Sequence, residues 1–121
     1  MRDTTSPAAP ALRQDRANVL AIEGDIDLHI SPAITESLNA MIRKKPDRIV
    51  IDLSRATYID SAGIAALILA MREVKEYGGK FFLSGVQETI RSILETSRLD
   101  RIFWIFPDVD VALAANEAWF T

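Results

Sequence analysis

An α/β domain, with a mainly parallel sheet of four to five strands and about four helices, is the fold class this sequence predicts. Two observations carry it. Short apolar runs of strand length, such as Ile49-Val-Ile-Asp-Leu53, alternate with longer segments whose apolar residues recur at helical spacing. That order is the mark of parallel strands joined by helical crossovers. The 121 residues are 49% hydrophobic, which leaves room for one domain around one core of ordinary size.

The first ten residues hold two prolines and small polar side chains with nothing to bury, so a flexible tail is expected over 1–10 and the domain over 11–121. Ala11-Leu-Arg13 reads as a short first strand, turning through Gln14-Asp-Arg16 into a second strand over Ala17–Ile22. Ser31-Pro32 reads as a cap followed by proline at the first helical position, and Ile34, Leu38, Met41 and Ile42 extend the helix to about 44. A strand over Arg48–Ser54 follows. A helix from Ser61 to about Tyr77 stops at Gly78-Gly79, and Lys80–Ser84 is the next strand. Ile90, Ile93 and Leu94 line a third helix, Ile102–Phe106 is a last strand, and a last helix begins near Asp108 and covers Val109–Leu113.

The most informative stretch is Tyr58-Ile-Asp-Ser-Ala-Gly63, which sets a serine at the start of the longest helix. A helix start leaves backbone N–H groups without intrahelical partners and is electropositive, so the Ser61 hydroxyl there serves as a cap or carries a phosphate. Along this helix Ile64, Leu67, Ile68, Met71 and Val74 form one stripe suited to burial against the sheet. The other face, with Ala62, Ala65, Ala66, Leu69 and Ala70, carries no charge until Arg72. Such a face either packs closely on a neighbouring helix or stays exposed as a docking surface beside Ser61.

The Asp-Ser-Ala-Gly turn after an Ile-Val-Ile-Asp-Leu strand resembles the STAS family of anti-sigma factor antagonists. Gly24-Asp-Ile-Asp-Leu28 upstream, Leu83-Ser-Gly-Val86 downstream and Ile93-Leu-Glu-Thr-Ser-Arg-Leu-Asp-Arg-Ile-Phe103 share the resemblance, in the family's order and over roughly residues 17 to 115. The resemblance implies a single STAS domain in which Ser61 is phosphorylated by a partner that is both a serine kinase of the histidine-kinase-like ATPase fold and an anti-sigma factor. The unphosphorylated protein binds that partner and so releases a sigma factor, phosphorylation switches it off, and a metal-dependent serine phosphatase resets it. ATP and magnesium belong to the partner. The candidate partner-binding residues are Asp25, Asp27, Asp60, Ser61, Ala62, Gly63, Ala65 and Leu69. For Asp25 and Asp27 the alternative is a purely local role in turn geometry.

Three positions depart from the family pattern. The first strand is shorter and less apolar, Ala62 replaces the second hydroxyl residue found after the serine in many members, and Arg98 stands where glycine often ends the third helix. A left-handed backbone at Arg98 costs roughly 1 kcal/mol relative to glycine.

Other chemistries find little support. The chain has no cysteine, which removes disulfides, thiolate metal sites and cysteine nucleophiles. His29 is its one histidine, in a loop, and a nucleophile elbow needs glycine two residues before the serine where Ile59 stands. Asp25, Asp27, Asp52 and Asp60 invite comparison with a magnesium-dependent phospho-aspartate receiver, but the aspartate order differs and the last strand has no lysine. Neither a catalytic residue, a cofactor nor a metal is expected, and the protein reads as a binding protein rather than an enzyme. A net charge of -3 with dispersed basic residues offers no footprint for direct nucleic-acid binding. The longest apolar run, Ile64–Met71, falls far short of the ~20 residues of a membrane span, so no membrane insertion and a cytoplasmic location are expected. The alternatives are a non-switching STAS scaffold subunit in a transport or stress-signalling complex, or a small α/β hydrolase.

Overall fold

The computed structural model describes residues 11–116, so the expected tail over 1–10 and the last part of the expected domain, 117–121, lie outside the described residues. Within them the chain forms β1 (Ala11–Arg16), β2 (Val19–Ile26), α1 (Ser31–Ile42), β3 (Arg48–Asp52), β4 (Ala56–Ile59), α2 (Ser61–Glu76), β5 (Lys80–Ser84), α3 (Glu88–Thr96), a 3-10 turn (Leu99–Arg101), β6 (Trp104–Phe106) and α4 (Val109–Ala114). The strands make one six-stranded sheet in the order β1-β2-β3-β5-β6, with β4 attached to β2. Only β1 runs antiparallel.

Strand residues alternate between two faces. Leu20, Ile22, Ile49, Ile51, Phe81 and Leu83 share a core with Ile34 and Leu38 of α1, Leu67 and Val74 of α2, and Ile90 and Leu94 of α3. On the other face Val19, Val50, Phe82 and Phe106 pack with Ala112 and Ala115 at α4. Phe82 and Phe106 meet edge to face with ring centroids 4.8 Å apart. Arg48 sits 5.6 Å over the Phe82 ring and donates to the carbonyls of Ala112, Leu113 and Ala115. A guanidinium among the last carbonyls of a helix complements its dipole, so Arg48 holds down a helix too short to persist alone.

Four expectations need correction. β1 continues through Arg16 instead of ending at Arg13, and the turn moves to 17–18. Its polar residues are tolerated because an edge strand is exposed, and Arg13 pairs with Asp15 at 2.6 Å and, across the strands, with Glu23 at 2.8 Å. β2 starts at Val19 and runs four residues beyond Ile22, because its second half finds β4 as a new neighbour. β4 itself was not anticipated and raises the strand number to six. The expected strand over 102–106 shortens to Trp104–Phe106, since the 3-10 turn draws in the residues before it.

In α1, Ser31 is the first helical residue and not the cap; the Asp27 carbonyl accepts the Ile30 and Ser31 N–H groups instead. The third helix ends as anticipated, with Arg98 left-handed at φ 61°.

The faces of α2 also divide differently from the expected stripe. Ala66 and Ala70 are buried and Ile64, Ile68 and Met71 only half-buried, while Ala65 and Leu69 are exposed. α2 packs on α1 as well as on the sheet. Small side chains allow that close approach, so the buried band is wider than one stripe.

Candidate functional site

The site is built where β2 and β4 end together. Their register passes from Gly24 opposite Ala56 to Asp25 opposite Tyr58, so Thr57 is the extra residue of a bulge. Its hydroxyl donates to Asp25 Oδ1 at 2.7 Å. Ile26 then pairs with Ile59, and the Asp60 N–H donates to the Ile26 carbonyl at 3.0 Å. The Asp25–Asp27 segment and the entry to α2 are thus joined by backbone hydrogen bonds.

Asp60, not Ser61, caps α2. With an extended backbone, it places its carboxylate to accept the Gly63 N–H at 3.0 Å, while its carbonyl accepts from Ile64. Ser61 is the first helical residue, exposed, with its hydroxyl making no hydrogen bond among the described residues. Of the first-turn N–H groups, those of Ser61 and Ala62 have no hydrogen-bond acceptor among the described residues, which suits water or an incoming anion.

Gly63, one of the expected contact residues, is buried. Its part is spacing. A Cβ there would lie 2.6 Å from Ile26 Cγ2 and 2.8 Å from the Ile26 carbonyl oxygen. Only glycine lets the first turn of α2 rest this closely on the end of β2.

Of the remaining predicted residues, Asp25, Ser61, Ala65 and Leu69 are exposed, whereas Asp27, Asp60 and Ala62 are half-buried. Leu69 leaves 57% of its surface open. Ser61, Ala65 and Leu69 succeed one another at four-residue intervals and make one row along α2. Asp27 organises the turn into α1: its carboxylate accepts the His29 N–H at 3.0 Å, and the exposed imidazole Nδ1 lies 3.7 Å from the same oxygen. Each aspartate therefore has a local structural task in addition to any contact outside the chain.

Leu28 and Tyr58, which lie within the sequence motifs but not among the expected contact residues, are large side chains left exposed after β2 and on β4. Among the described residues no group of three His, Cys, Asp or Glu side chains is arranged to hold a metal ion, and no helix is long and apolar enough to cross a membrane.

Comparison with known proteins agrees with this architecture. The chain is similar to the putative anti-sigma factor antagonist BtrV of Bordetella bronchiseptica, 26% identical over 97 residues that cover 80% of this chain and 84% of that protein. It is 28% identical over 95 residues to the anti-sigma-F factor antagonist RsfB of Mycobacterium tuberculosis, covering 78% and 77% of the two chains. The fold matches the crystal structure of an anti-sigma factor antagonist from Mycobacterium paratuberculosis with a TM-score of 0.73 at 24% identity, covering 87% of this chain and 90% of the other. The family model of the STAS domain matches residues 8–112, which takes in β1 and reaches α4, and the chain belongs to the STAS domain family.

Proposed function

We propose that this protein is an anti-sigma factor antagonist that works by partner switching. Unphosphorylated, it binds an anti-sigma factor that is also a serine kinase of the histidine-kinase-like ATPase fold, and a sigma factor is released. Phosphorylation of Ser61 ends the interaction and a serine phosphatase restores it. The protein acts by binding and supplies no catalytic group.

The observation that carries this reading is the exposed, uncommitted Ser61 hydroxyl at the head of the exposed row Ala65 and Leu69. The names of the relatives point to an anti-sigma factor as the partner. A kinase needs an accessible hydroxyl, and a switch needs that hydroxyl inside the contact it controls. Phosphate adds about -1.5 to -2 charges at neutral pH. Those charges would stand next to the Asp60 carboxylate, the adjacent residue, so a partner fitted to the neutral surface meets repulsion. The fold has no reason to open, because Asp60 keeps the cap and the helix start favours negative charge.

Incubation with the candidate kinase and ATP, followed by peptide mass spectrometry, tests the assignment. A single phosphate on Ser61, with loss of kinase binding, is the expected result. Phosphate placed elsewhere, or binding unchanged after modification, would reject it.

A further inference from the structure

At the opposite end of α2 from Ser61, a groove of about 660 Å³ lies between that helix and the segment leading into β6. Met71 and Phe103 line it, and Ile102 and Trp104 beside them leave 42% and 48% of their surfaces exposed. Arg72, Lys75 and Arg101 also line it, with Asp100 as the one acidic neighbour in the lining. The side chains of these three cations make no ion pair among the described residues. The chain as a whole is acidic, with 17 acidic residues against 14 basic ones. A local excess of unpaired positive charge around exposed apolar side chains therefore runs against the general balance of the molecule.

We infer that this groove is a second docking surface, for an acidic protein segment that carries at least one large apolar side chain. Charge complementarity supplies the argument: carboxylates would meet the cations at the rim, and the apolar side chain would cover Ile102 and Trp104. A protein segment fits better than an anionic membrane. The apolar residues line a concavity instead of projecting from a flat basic face, and the net charge of -3 disfavours approach to a negative surface. The inference stands independently of the antagonist reading, since none of these residues belongs to the Ser61 row.

The probe is a fluorescein-labelled peptide in which glutamates flank a leucine-phenylalanine pair, titrated into the full chain and followed by anisotropy and by amide chemical shifts. Shifts should centre on Met71, Ile102 and Trp104, and affinity should fall with added salt. The double variant Arg72→Glu, Lys75→Glu alters exposed helix positions, and its melting curve checks the fold. It should bind the peptide roughly tenfold more weakly, and Ile102→Ser should weaken binding without changing the salt dependence. Shifts centred elsewhere, no shift at millimolar peptide, or undiminished affinity in the double variant would overturn the proposal. So would binding of phosphatidylserine vesicles through these residues in the absence of peptide binding.

Discussion

The Asp60 carboxylate accepts the Gly63 N–H at 3.0 Å and thereby relieves Ser61 of any capping duty. Capping and modification fall to adjacent residues, so the two are separable by mutation. Ser61→Ala should lose less stability than a cap substitution, under about 0.5 kcal/mol, whereas Asp60→Ala should lose about 0.5 to 2 kcal/mol. Denaturant titrations measure both. The Ser61 variant should also take up no phosphate and retain its kinase partner whether or not ATP is present.

Gly63→Ala should be the more damaging change despite adding one methyl group. The new Cβ meets both the side chain and the carbonyl of Ile26, and the backbone cannot step aside without moving α2. A loss of about 1 to 3 kcal/mol is expected, read as a lower melting temperature. Chemical shifts should move at Ile26 and through the first turn of α2.

Ala65→Glu and Leu69→Glu place a charge on the exposed row. Both should melt close to the parent protein, since surface substitutions usually stay within about 0.5 kcal/mol. Both should weaken binding to a verified anti-sigma partner, as phosphorylation would. Parent-like affinity in calorimetric titration would remove the row from the interface. By contrast Ala66→Glu buries an unpaired carboxylate and should unfold the domain.

Arg98 holds a left-handed backbone at φ 61° between α3 and the 3-10 turn. Glycine adopts that conformation without steric cost, so Arg98→Gly should stabilise the domain by up to about 1 kcal/mol. A rise in the denaturation midpoint with an unchanged slope checks this; a fall would mean that the arginine side chain contributes more than the strain it causes.

The Tyr77 hydroxyl donates to the Pro46 carbonyl at 2.8 Å, and burial, followed by the charge of Asp47, raises its pKa above the ordinary value. An acid with a raised folded-state pKa favours the fold while protonated. Its contribution is complete below the ordinary tyrosine value of about 10 and declines as pH rises through the folded-state value. Tyr77→Phe should cost about 0.5 to 1.5 kcal/mol at neutral pH and remove this part of the alkaline loss, measurable by urea unfolding across that range.

Most of the layout was legible because the apolar runs of β3 and β5 and the spacing in α1 and α3 need no tertiary information. β4 was not, since Ala56-Thr-Tyr-Ile59 is short and follows β3 too closely to stand out; it becomes a strand because β2 extends past β3 and presents a free edge. The polar residues of β1 looked like a turn for lack of any apolar alternation, and the sheet edge accepts them nonetheless. At the site, the spacing puts Ser61, Ala65 and Leu69 in one row but leaves open whether that row is buried or exposed. The sequence leaves Ser61 open as cap or phosphate carrier because aspartate and serine are both good caps; the extended backbone of Asp60 and its bond to the Gly63 N–H decide for Asp60. Ala66 and Ala70 resemble Ala65 in type, so only the position of α1 separates buried from exposed.

β2 changes neighbours midway, sharing Val19–Ala21 with β3 and Gly24–Ile26 with β4. Local opening of the second ladder would release the Asp25–Asp27 segment and the head of α2 together, and leave the first ladder closed. Local opening there acts on both segments at once, because one ladder and the Asp60 N–H bond to the Ile26 carbonyl hold them together. A partner that grips both segments would therefore stabilise that ladder as well as its own contacts.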